Sequence, residues 1–201
     1  MRPYYKYIMP IVVVKLSMLF IISCNADDYE QKDETMQFYV DTSLLSTSIY
    51  LEDSNISLRP PLGWDAISDI EFEQLSKRIQ NGDNIFDIRL NRVFKSVDGA
   101  LMIISQVQSK LYNFGYVPPD YVDLLSEQFN IENIPTLKFP INKIPIIQYL
   151  INTDDFVIIR FFIGSNISYQ IDYIIPRNIY EKELKKIESS IGSINKQKEK
   201  K

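Results

Sequence analysis

The chain has 201 residues, 45% of them hydrophobic and 24% charged, with a formal net charge of -4, one cysteine and no histidine. That composition suits one packed domain rather than a disordered chain. Without histidine the chain lacks the commonest general base and metal ligand, which excludes the usual zinc sites and Ser-His or Cys-His nucleophiles, and its acidic balance argues against a general nucleic-acid binder.

Residues 1–23 carry Arg2, Lys6 and Lys15, no acid, and the apolar run Leu16 to Ile22, the outline of a secretory signal peptide whether it starts at Met1 or Met9. A bilayer-spanning helix fits less well, because spanning takes about 20 mostly apolar residues and Pro10 and Lys15 interrupt the stretch. Ile21-Ile22-Ser23-Cys24 resembles a bacterial lipobox, in which a small residue precedes a cysteine that receives the lipid. Cys24 is therefore the expected lipid attachment site, and more than one acyl chain makes such an anchor stable. An acylated Cys24 leaves no free thiol and no intramolecular disulfide. The leader holds three of the 22 basic residues and none of the 26 acids, so the rest of the chain stands at -7. The expected location is the bacterial cell envelope, lipid-anchored to a membrane. Asn25 stands where some bacteria place an aspartate for inner-membrane retention, so the outer membrane or cell surface is expected.

Residues 24–36, polar and acidic, read as a flexible tether. A single domain is expected over 37–194, and 195–201, "NKQKEKK", as a charged disordered tail, solvated or touching anionic headgroups. Within the domain, "MQFYVDTSLL" and "STSIYLEDSNISLRPP" read as a first hairpin, turning at Glu52-Asp53-Ser54-Asn55, with Pro60-Pro61 ending the ladder. Ser68-Asp69-Ile70-Glu71 is a capping box, and Phe72, Leu75 and Ile79 recur on one face, so a helix is expected over 69–80, stopped by Asn81-Gly82.

"DIRLNRVFKSVDGALMIISQVQ" reads as a hairpin with a two-residue turn at Asp98-Gly99 and a central second strand from Leu101 to Val107. Residues 119–130 read as a helix with Tyr121, Leu124, Leu125 and Phe129 inward. From Thr136, "TLKFPI" with "IPIIQYLI", then "FVIIRFFI", then "ISYQIDYIIP" read as an antiparallel meander, turning at 152–155 and 164–166. Ile167, Tyr169, Ile171, Tyr173 and Ile175 share one face of its last strand. Arg177 to Ile191 reads as a final helix, with Tyr180, Leu184, Ile187 and Ile191 inward and its Glu and Lys residues on the wet side. The fold class is thus α+β: a single antiparallel β-sheet sandwiched by helices, the C-terminal helix packed on it.

"ISLRPPLGWDAIS", "RVFKSVDGALMIIS" and "YQIDYIIPRNIYEKELKKIESSIGSI" together resemble the PsbP-like α/β/α sandwich superfamily, particularly its small bacterial lipoproteins, over residues 45 to 194. The resemblance implies a fold of extrinsic subunits and partner-binding modules, seldom enzymes.

Candidate chemistry is sparse. Ser76-Lys77 and Ser109-Lys110 are adjacent pairs without a surrounding motif, and Asp27-Asp28 and Asp154-Asp155 lack the spacing of a calcium loop. The six glycines form no phosphate-cradling pattern. No catalytic residue, metal or cofactor is assigned. Trp64 reads as a core plug, with a ligand surface as its alternative. The aromatic series Tyr112, Phe114, Tyr116 and Tyr121, around Pro118-Pro119, reads either as a segment packed on its own sheet or as a partner-binding loop. The expected function is a non-enzymatic, membrane-anchored module that binds or assembles with another envelope component, an envelope protein being one such partner. A carrier or sensor of a small apolar ligand or lipid, and a carboxylate-based hydrolase, are the alternatives.

Overall fold

A computed structural model describes residues 38–51, 55–80, 86–109, 121–164 and 168–196. The chain divides into two compact units, Met1–Glu34 and Thr35–Lys201, and the described residues all belong to the second. The leader, Cys24 and the tether lie outside them.

No strand forms over Phe38 to Leu45, where the first hairpin was expected to begin. These residues run as extended chain and a 3-10 turn at Thr42–Leu44, where the Asp41 carboxylate accepts from the Ser43 amide. The hairpin lies further on, between β1 (Ile49–Leu51) and β2 (Ile56–Leu58), with Leu51 opposite Ile56. Pro60 and Pro61 still join a short ladder, because proline lacks the N–H but keeps its carbonyl. Ser46 N–H donates to Pro60 O at 2.8 Å, and Leu45 bridges Pro61.

β3 (Trp64–Ala66) leads into α1 (Asp69–Gln80). Its capping box forms as expected, with the Glu71 carboxylate accepting from Ser68 N at 3.2 Å and the Ser68 hydroxyl accepting from Glu71 N at 3.4 Å. β4 (Phe86–Ser96) and β5 (Leu101–Ser109) form the long hairpin. Its loop has three residues, not two: Ser96 N donates to Ala100 O at 2.8 Å across Val97, Asp98 and Gly99. Gly99 takes the left-handed position, at φ 88°, that such a loop requires.

α2 (Tyr121–Phe129) is followed by β6 (Thr136–Ile141), β7 (Ile144–Asn152), β8 (Phe156–Ile163) and β9 (Ser168–Pro176), the expected antiparallel meander. A 3-10 turn at Arg177–Ile179 opens α3 (Tyr180–Gly192). The main sheet has seven strands in the order β3-β4-β5-β9-β8-β7-β6, so β5 is interior as expected.

The single-sheet expectation needs a correction. A second, three-stranded sheet forms in the order β1-β2-β10, where β10 (Asn195–Lys196) comes from the stretch expected to be disordered tail.

Strand alternation divides the core between the two faces of the main sheet. Val157, Ile159, Phe161 and Ile163 of β8 and Tyr169, Ile171, Tyr173 and Ile175 of β9 meet Ile187 and Ile191 of α3, together with Leu51, Ile56 and Leu58 of the small sheet. Ile158 and Phe162 point the other way, to Tyr121 and Leu125 of α2, while Leu90, Val93 and Ile103 lie under Phe72, Leu75 and Ile79 of α1. Each fully buried aliphatic or aromatic side chain contributes about 1.5–3 kcal/mol. Burial on both faces makes this a three-layer arrangement.

Candidate functional site

Of the residues singled out from the sequence, Cys24, Tyr112, Phe114 and Tyr116 lie outside the described residues. Tyr121 does not belong to a partner-binding loop. It opens α2 at 2% exposure, its ring 5.3 to 5.4 Å from those of Phe86, Tyr149 and Phe162. A side chain enclosed by three rings has no surface left for a partner, so at Tyr121 the self-packing alternative holds. Trp64 is buried as expected for a core plug.

Among the described residues an open groove of about 190 Å³ lies between α1 and the end of the sheet that carries the β4–β5 loop. Glu71, Gln74, Leu75 and Arg78 line it from one face of α1, their spacing of three and four residues bringing them into one row. Ile67, Val93 and Leu101 supply apolar walls, and Lys95 stands opposite the helix. Its Nζ is 4.0 Å from Glu71. The Ser68 hydroxyl and amide, and to a lesser degree the charge of Lys95, hold the Glu71 carboxyl below its ordinary range. Glu71 is thereby committed to the helix cap. The groove can seat one apolar side chain beside the two cations of its rim.

Two polar clusters lie inside the domain. Between α2 and the sheet, the Arg160 guanidinium donates to both Asp172 oxygens, at 2.8 and 2.9 Å, and to the Tyr121 hydroxyl. Arg160 and Asp172 face one another across the β8–β9 pairing, and Gln170 Nε2 donates to Asp172 at 2.7 Å. Burial pushes the guanidinium down, but the Asp172 carboxylate and the Tyr121 hydroxyl outweigh it and raise it above the ordinary value. Through the hydroxyl of Tyr121, the residue that opens α2, the pair ties that helix to the sheet.

On the opposite face, Trp64 Nε1 donates to Glu183 Oε2 at 3.0 Å, and Lys186 Nζ is 3.0 Å from both Glu183 oxygens. Glu183 is 1% exposed, not on the wet side of α3 as its neighbours led one to expect. Tyr173 and Ser190 hydroxyls lie 2.8 Å apart, and Ser190 donates to Arg59 O at 2.7 Å, which ties α3 to both sheets. Burial raises the Tyr173 hydroxyl, against a smaller lowering by Ser190. Sequence reasoning missed both clusters. A lone Arg and a lone Asp inside two consecutive apolar strands, at positions a hairpin places opposite, were the available signal for the first. Among the described residues no group of three or more Cys, Asp and Glu could hold a metal ion.

No family model matches the chain, and neither does any curated protein. Solved structures similar to it include a protein from Bacteroides thetaiotaomicron, 13% identical with a TM-score of 0.42, over 78% of this chain and 50% of the other. PsbP (CyanoP) from Synechocystis is also similar, 10% identical with a TM-score of 0.44, over 75% of this chain and 92% of the other. The chain thus spans half the length of the Bacteroides protein.

Proposed function

We propose that this chain is a membrane-anchored envelope lipoprotein whose domain is a non-catalytic binding or assembly module for another envelope component, contacted through the α1 groove. The observation that carries this reading is a division of labour among charged groups. The interior pairs Arg160–Asp172 and Glu183–Lys186 are bound to one another and to structural elements, whereas at the open, apolar-walled groove Arg78 stands beside Lys95, whose contact with the cap-bound Glu71 is a long, exposed one of 4.0 Å. Such a rim selects a partner that brings an apolar side chain flanked by acidic groups. The Ile21-Ile22-Ser23-Cys24 motif supports the anchor.

The test is photo-cross-linking in living cells from a reactive residue at Gln74, in the groove, and from one at Leu137, exposed on the edge strand β6. A specific adduct is expected from Gln74 only. Arg78→Glu and Lys95→Glu should remove it while leaving the melting temperature unchanged. Identical adducts from both positions, or an adduct indifferent to the rim charges, would remove the groove from the proposal.

A further inference from the structure

We infer that the edge of β4 is a docking site for an extended acidic segment of a partner protein, which adds to the main sheet as a further strand. This edge shares no residue with the lining of the α1 groove. β3 pairs with β4 only from Phe94 to Ser96, toward the far end of the long strand. From Phe86 to Arg92, β4 has β5 on one side, and among the described residues no strand pairs with its other side. Such an edge presents main-chain N–H and C=O groups with which an extended chain can pair.

The side chains along the edge set the sign of the partner. Simple alternation would send Arg89 and Arg92, three residues apart, to opposite faces of the sheet. A bulge prevents this. The β4–β5 register passes from Leu90 opposite Ser105 to Arg92 opposite Ile104, so Asn91 is an extra residue and Arg92 returns to the face of Arg89. Asp87, Arg89 and Arg92 then stand opposite Gln108, Gln106 and Ile104, every second residue of β5, at steps of about 7 Å. Further along this face Phe94 and Ile104 join the core, but Asp87, Arg89 and Arg92 are exposed. None of the three is in an ion pair among the described residues.

A strand laid along this edge repeats the same step, because its own side chains return to one face every second residue. Opposite charges at facing positions of a sheet attract, and like charges repel. The complementary segment therefore carries two acids two residues apart, facing Arg92 and Arg89, and a base two residues further on, facing Asp87. Its intervening residues fall on the α1 side of the sheet, where β-branched side chains suit a strand. A bulge and charged side chains also keep a sheet edge from pairing with other copies. Protection alone does not require the charges to fall in one evenly spaced row.

The experiment measures the binding of short fluorescent peptides to the purified full chain by anisotropy. The first peptide has two glutamates two residues apart and a lysine two residues further on, with valine and threonine between them. A second exchanges the charges, a third sets the glutamates three residues apart, and a fourth is the first with every main-chain nitrogen between its charged residues methylated. The first is expected to bind, less tightly as salt rises, and the others at least about tenfold more weakly. Arg89→Glu with Arg92→Glu should leave the melting temperature unchanged, weaken the first peptide at least about tenfold and strengthen the second. Equal binding of the charge-exchanged or the methylated peptide, or equal binding of the first peptide by this variant, would overturn the inference. So would a parent that binds none of the peptides while Arg89→Ser with Arg92→Ser self-associates, the outcome expected of edge protection alone.

Discussion

Gly192→Ala sets two effects of opposite sign against each other. Replacing a helical glycine by alanine stabilises an exposed helix interior by about 1 kcal/mol, and less at a final helical residue such as this one. Against that gain, the new Cβ would sit 2.7 Å from Phe38 Cβ and 2.8 Å from Val40 Cγ2, distances that force the segment to move. Both side chains are half-buried, and Phe38 contacts the core through Phe139. Losing half the burial of a phenylalanine and a valine costs roughly 1.5–2.5 kcal/mol. The net expectation is a loss of about 1–2 kcal/mol in urea unfolding, with faster proteolytic cleavage near residues 38–41 and little change elsewhere. A variant more stable than the parent would refute the close packing of Phe38 and Val40 on α3.

Further tests address the interior. Arg160→Met should destabilise by about 3–5 kcal/mol, because it leaves Asp172 buried without its partner, and adding Asp172→Leu should restore much of the loss in the same urea assay. Trp64→Phe removes one donor from the buried Glu183 and should cost about 1.5–3 kcal/mol. In the parent, fluorescence from this sole tryptophan should be blue-shifted and should report global unfolding. Burial raises the hydroxyls of Tyr173, Tyr149 and Tyr180, so these tyrosines stay neutral in the fold at pH values where the unfolded chain ionises. Their contribution is fully present below the unfolded value near 10 and is lost as pH rises through the folded values. The urea midpoint should fall above about pH 10, and tyrosinate absorbance of the native protein should lag that of the unfolded chain; a midpoint constant up to the pH where absorbance rises would contradict this.

Local regularities made much of the fold legible. The capping box at Ser68 and the spacing of Phe72, Leu75 and Ile79 fix α1, and alternation in "ISYQIDYIIP" assigns Tyr169 to Ile175 to one face. What escaped depends on contacts distant in sequence. β10 has two residues, too few for periodicity, and forms because Ile194 anchors the chain beside β2. Glu183 reads as a solvated helix residue until Trp64, 119 positions away, is seen to donate to it. Tyr121 was grouped with the aromatic residues before it, but the cluster of Phe86, Tyr149 and Phe162 that encloses it spans three strands. The groove has the same character, since Lys95 and Leu101 meet α1 only after β4 and β5 pair.

The central claim is that the domain works tethered to a membrane through Cys24, and its most direct test is metabolic labelling of the full chain with radioactive palmitate followed by membrane fractionation. The account predicts that the parent carries label and sediments with membranes, and that Cys24→Ala carries none and is released into the soluble fraction. Label retained by Cys24→Ala, or unlabelled parent protein found wholly in the soluble fraction, would contradict it.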